Sequence, residues 1–121
     1  MALIVAADDD PDLLMLVRMR LTALGHEVLE AHDGAEALEL CRSRRPDLAV
    51  LDITMPHLTG LEVLRTVRST PELHTLPVIL LTALASDDAV AEGIRAGANA
   101  YMTKPFRLQD LGNRVAELVG D

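Results

Sequence analysis

Cysteine is nearly absent. The single Cys41 has no partner for an internal disulfide, and no pair of His or Cys residues has metal-ligand spacing, so a zinc or haem site has no support. Cys41 reads as packing. Basic residues are scarce too: eleven Lys and Arg against nineteen Asp and Glu give a formal net charge of -8. Such a segment repels phosphate backbones and anionic lipid, and direct contact with nucleic acid or membrane is not expected. No apolar run approaches the roughly 20 residues of a spanning helix, and Met1 to Ala7 lead into three aspartates instead of a cleavage site. The chain therefore reads as cytoplasmic. Tyr101 and Phe106 are the only aromatics, and His26, His32, His57 and His74 share no spacing and read as surface residues without ligand duty. What is present is a globular balance, 121 residues with half of them apolar and a quarter charged. That fits one compact domain over residues 1–121, with no output module following it.

Short β-rich apolar runs alternate with helix-period segments along the whole length. This predicts an α/β fold of five βα units, a parallel sheet with helices on both faces. The strands fall at Leu3 to Ala7, Glu27 to Ala31, Leu48 to Asp52, Val78 to Thr82 and Ala100 to Thr103. Three are almost wholly apolar, as buried central strands are, whereas the more polar second strand suits a rim. The first helix begins at Pro11, carries Leu14, Val17, Leu21 and Leu24 on one stripe and stops at Gly25. The second follows Asp33 with Ala37, Leu38 and Cys41 inward, and Arg42, Arg44 and Arg45 in its last turn complement the helix dipole before Pro46. The third places Leu61, Leu64 and Val67 at helical spacing. The fourth opens at Ser86 with Asp87 and Asp88 and carries Val90 and Ile94; the fifth aligns Leu108, Leu111, Val115 and Leu118. Gly93 and Gly97 have GxxxG spacing, but the flanks are too polar for lipid and the pair reads as a helix end.

The chemistry-bearing residues stand at the carboxyl ends of these strands. Asp8, Asp9 and Asp10 follow the first, Asp52 closes the third, Thr82 closes the fourth and Lys104 follows the fifth. In a doubly wound sheet all parallel strands point one way, so these positions emerge at one rim, where ligands bind at the topological switch point. Taken alone, the three aspartates suit a helix N-terminus, Asp52 a loop cap, and Thr82 or Lys104 a solvent-facing position. Together they point elsewhere. Carboxylates brought close repel unless a proton or a cation settles among them, and magnesium, with its preference for carboxylates, waters and a phosphoryl oxygen, suits Asp9 and Asp52 with Asp8 behind them. Asp52 would then attack phosphorus, with the Lys104 ammonium and the Thr82 hydroxyl stabilising the transferred oxygens and an acyl phosphate as product.

Leu3-Ile4-Val5-Ala6-Ala7-Asp8-Asp9-Asp10-Pro11, Pro46 to Pro56 around Asp52, Gly60, Pro77-Val78-Ile79-Leu80-Leu81-Thr82-Ala83 and Gly97 to Phe106 around Lys104 resemble, in order and spacing, a response-regulator receiver domain. The resemblance spans nearly the whole chain. It implies a flavodoxin-like fold with strand order 2-1-3-4-5, Asp52 as phosphoacceptor, and Asp8 with Asp9 as the magnesium-binding pair, completed by the Thr54 backbone carbonyl. It further implies that Thr82 and Lys104 contact the phosphoryl group, that the Lys104-Pro105 peptide bond is cis, and that Tyr101 changes exposure when Thr82 moves.

The chain departs from the pattern at His57-Leu58-Thr59-Gly60, where an acidic residue commonly precedes the glycine, with little chemical consequence. Thr54 and Leu84 occupy the two variable positions that influence phosphoryl lifetime; apolar Leu84 cannot orient a water, which favours a longer-lived phosphoform. The reading that results is a signalling switch with self-directed chemistry only. It takes a phosphoryl group from a sensor histidine kinase or phosphotransfer protein, or from acetyl phosphate, and alters the face made by the fourth helix, fifth strand and fifth helix, with a homodimer possible on phosphorylation. A magnesium-dependent aspartyl phosphohydrolase and a phosphorylation-independent docking module are the alternatives; the first lacks chain for a substrate pocket, and the intact Asp52, Thr82 and Lys104 set argues against the second.

Overall fold

Alternation within three buried strands sets the layering of the molecule. In this computed structural model, which describes residues 1–120, the elements run β1 (Leu3–Ala7), α1 (Pro11–Ala23), β2 (Glu27–Ala31), α2 (Gly34–Arg44), β3 (Leu48–Leu51), α3 (Gly60–Ser69), β4 (Val78–Thr82), α4 (Asp87–Arg95), β5 (Ala100–Thr103) and α5 (Leu108–Val119). Val5, Ala7, Ala49, Leu51, Val78 and Leu80 face one side of the sheet, against Ala37, Leu38 and Cys41 of α2 and Val63, Leu64 and Val67 of α3. Ile4, Ala6, Leu48, Val50, Ile79 and Leu81 face the other, against Leu14, Val17 and Leu21 of α1 and Leu111 and Val115 of α5. Successive strand residues point to opposite faces, so near-continuous apolar runs fill both cores at once.

All pairings are parallel and the sheet order is β2-β1-β3-β4-β5, the flavodoxin-like order with polar β2 at an edge. The order reverses between β1 and β3, and their register, Ala7 beside Leu51, brings Asp8 and Asp52 to the same end. Side chains start the helices nearby. Asp10 accepts from the N–H groups of Asp12 and Leu13 ahead of Pro11, Asp33 caps α2, and Thr59 forms a capping box with Glu62 at α3. Gly60 has no room for a side chain: a Cβ there would run into the backbone of Asp52 and Ile53, so α3 begins directly against the segment that carries Asp52.

Several local expectations change. Strand β3 ends at Leu51, leaving Asp52 as the first residue of the loop. His26 is buried instead of surface-lying, because its Nδ1 accepts the N–H of Ala2 at 3.1 Å and so satisfies a backbone donor. Leu24 lies outside the inward stripe of α1; it is the C-cap, 46% exposed. Ile94 is 49% exposed, because α4 turns Gly93 to the sheet. Only Gly97 ends that helix, at φ +110, while Gly93 lies within it. Arg45 is the left-handed C-cap of α2, one residue beyond its last turn. Among the described residues no helix is long and apolar enough to cross a membrane.

Candidate functional site

The ladders on both sides of β1 continue one step into the loops: toward β3, Asp52 N–H donates to Ala7 O at 3.0 Å, and toward β2, Asp8 N–H donates to Ala31 O at 3.2 Å. Both carboxylates are thereby held side by side, each residue only 5% exposed. Lys104 reaches them from the far side of β4. Its N–H donates to Thr82 O at 2.8 Å, and its Nζ donates to Asp8 Oδ2 at 2.7 Å and to Asp52 Oδ2 at 3.0 Å. The second oxygens are bonded locally, Asp8 Oδ1 by the Asp10 N–H at 2.9 Å and Asp52 Oδ1 by the Thr54 N–H at 3.2 Å. The Lys104-Pro105 peptide bond is cis.

One ammonium serves two buried carboxylates, and the electrostatics follow. Burial, with the nearby charge of Asp52, raises the Asp8 pKa despite the bonds from Lys104 and Asp10. Burial opposes the charge on Lys104 as well, but its bonds to Asp8 and Asp52 outweigh that cost and raise its pKa. Asp9 stands exposed at the rim, and one oxygen from each of Asp8, Asp9 and Asp52 lies within 4.8 Å of the others. Three hard oxygen donors of one sign, offset by a single ammonium, fit a hard divalent cation and offer nothing to a soft metal.

Thr82 is fully buried at the end of β4, and its Oγ1 accepts the N–H of Leu84 at 3.3 Å. Tyr101 OH donates to Leu84 O at 2.6 Å, closing the β4–α4 loop from the other side. Burial first, then the charges of Asp52 and Glu92, raise the Tyr101 pKa. Beside Lys104, Leu13, Leu16, Pro105, Phe106 and Leu108 line an apolar groove of about 290 Å³.

Residues 4–116 match the family described as the response regulator receiver domain. The chain belongs to that family. The receiver is 45% identical over 116 residues to "Response regulator MprA" of Mycobacterium ulcerans, covering 96% of this chain and 49% of that protein. It thus spans about half the length of the curated relatives it matches. Among solved structures, a Francisella response regulator 1452 receiver domain has a TM-score of 0.93 at 33% identity, covering 99% of this chain and 98% of the other. Chemotaxis protein CheY4 of Vibrio cholerae has a TM-score of 0.91 at 32% identity, covering 98% of each chain.

The receiver brings Asp8, Asp9, Asp52 and Lys104 into one cluster, with Thr82 and Thr54 on its borders and Tyr101 one loop away. Two features escape a reading of residue types. The bond from Lys104 to Asp8 arises because β1 and β3 are neighbours, and the acceptor for Tyr101 is a backbone carbonyl, which any residue at position 84 supplies.

Proposed function

We propose that the receiver is the phosphoacceptor switch of a two-component system, working in the cytoplasm, with Asp52 as the acceptor. The carrying observation is the buried Asp52 carboxylate, hydrogen-bonded to Lys104 and ringed by Asp8 and Asp9. An Asp52 oxygen attacks the donor phosphorus. The bond to the donor's imidazole nitrogen, or to the acetate oxygen of acetyl phosphate, breaks and its electron pair leaves with that group. Lys104 neutralises charge on the transferred oxygens, and the Thr82 hydroxyl gives them a hydrogen bond while still accepting from Leu84. Asp8, Asp9, Asp52 and the Thr54 carbonyl would hold magnesium, which supplies Lewis-acid neutralisation of the phosphoryl oxygens when bound. Water later attacks phosphorus, releasing phosphate and restoring the carboxylate.

The donor is a histidine kinase or phosphotransfer protein, and the apolar groove beside Lys104 gives it a docking edge next to the acceptor. The output is a change of the α4-β5-α5 face, through Thr82 and Tyr101, and homodimerisation through that face is the simplest readout. Leu84 offers no side-chain hydrogen bond to a water, so the phosphoform is long-lived; Leu84→Gln shortens its lifetime severalfold, and an unchanged decay rate counts against this role.

Intact-mass measurement with acetyl phosphate and magnesium tests the proposal. The wild type gains a single phosphoryl group and Asp52→Asn gains none. Continuous turnover of p-nitrophenyl phosphate would favour the hydrolase, and absence of any adduct would favour a docking module without phosphoryl chemistry.

A further inference from the structure

Helix α4 is tied down firmly at one end only. Just past its last turn, the carbonyl of Gly97 accepts from Arg68 Nε at 3.1 Å and from Arg68 Nη2 at 2.7 Å. The same guanidinium donates through Nη1 to His74 O at 3.1 Å and Leu76 O at 2.6 Å, and through Nη2 to Asn99 Oδ1 at 2.9 Å. Asn99 is itself locked to the next strand, taking the N–H of Val78 at 2.9 Å and giving its own N–H to Val78 O at 2.8 Å. One side chain from the last turn of α3 therefore joins the segment before β4 to the segment before β5. Gly97 permits this: it sits at φ +110, and a Cβ there would stand 2.8 Å from Arg68 Nε.

The other end is held lightly. Residues 83–88 are exposed, and among the described residues the hydrogen bonds that tie them to the sheet are the pair at Leu84, from Tyr101 OH and to Thr82 Oγ1. Midway, Gly93 rests on the Tyr101 ring and Leu80, and the half-exposed Arg65–Glu92 pair at 3.9 Å adds little. A rod fixed at its C-terminal end and coupled to the phosphoacceptor rim at its N-terminal end swings at the N-terminal end.

We propose that Arg68 is the positioning residue that pins the C-terminal end of α4 and confines that helix's share of the response to residues 83–90. The direction of use rests on the phosphoacceptor reading, whereas the pin itself belongs to the unloaded protein.

Amide hydrogen exchange over residues 83–90 and 95–99 tests this in the wild type, Arg68→Gln and Arg68→Lys, with and without acetyl phosphate and magnesium, loading being followed by mass. In the unloaded Arg68→Gln protein, exchange over 95–99 and at Val78 rises about tenfold, as expected when charge-assisted bonds are lost, while 83–90 keeps its wild-type rate. In the wild type, loading alters 83–90 and leaves 95–99 unchanged; in Arg68→Gln the change spreads to 95–99. Lysine keeps the charge but cannot bridge carbonyls on both sides, so Arg68→Lys lies between the two and serves if Arg68→Gln folds poorly. Wild-type loading that alters both segments equally, a variant with unchanged exchange at 95–99, or a uniform rise across the domain overturns the proposal. Failure of the wild type to load counts against the phosphoacceptor reading, and the unloaded comparison still decides the pin.

Discussion

Asp8 and Asp52 compete for the charge of Lys104, and what one ammonium cannot neutralise is left as strain in the metal-free fold. Replacing Asp8 by asparagine keeps a hydrogen-bond acceptor and removes a charge. The metal-free Asp8→Asn protein is therefore more stable than the wild type, by roughly 1 kcal/mol or ~4 °C in the melting midpoint, as read by thermal unfolding in chelator. Magnesium relieves the same repulsion: at about ten times its dissociation constant it stabilises the wild type by ~1.4 kcal/mol, and Asp8→Asn gains less. Absence of a wild-type shift would remove the metal from the account. Cys41 gives a residue-scale prediction far from the site. Burial pushes its thiol up to about 11, whereas the unfolded thiol has its ordinary value near 9.0. The folded pKa is the higher one, so this contribution is complete below pH 9 and is lost as pH rises toward 11. The slope of stability against pH over that window falls in Cys41→Ala, and denaturant titrations at pH 8, 9 and 10 measure it.

At the scale of elements, the strands are legible because a parallel sheet buried on both faces needs unbroken apolar runs, and β1, β3 and β4 supply them. Helix starts are legible through Pro11, Asp33 and Ser86, whose short side chains or fixed backbone angle suit a first turn. Burial on narrow helical faces is not. Leu24 and Ile94 are apolar at the right period yet exposed, since what a helix turns inward depends on its neighbour, and α4 turns a glycine toward Tyr101. His26 hides the opposite way, its burial decided by one backbone donor from Ala2. Close approach of elements yields its own prediction. Gly60→Ala destabilises the domain by roughly 3 kcal/mol, because the new methyl meets the Asp52 and Ile53 backbone. The substitution also displaces the acceptor loop, so phosphoryl loading slows even where the protein remains folded. Chemical denaturation with parallel mass measurement separates the two effects.

For the whole molecule, the central fact is convergence. Residues 8, 9, 52 and 104 share one cluster because β1 and β3 are neighbours at the reversal of the sheet and β5 brings Lys104 past the end of β4. The residue types and their strand-end positions were legible from the chain itself. The two hydrogen bonds from the Lys104 ammonium, the path from Tyr101 to a backbone carbonyl, and the Arg68 anchor were not, since each depends on distances that only the packed sheet sets. The most direct test of the account is to trap the acceptor. Borohydride reduction of the protein loaded with acetyl phosphate and magnesium converts an aspartyl phosphate to homoserine, which tandem mass spectrometry places in the sequence. Homoserine at position 52 alone is the predicted result; homoserine at Asp8 or Asp9, or none in a protein that carries the phosphoryl mass, contradicts it.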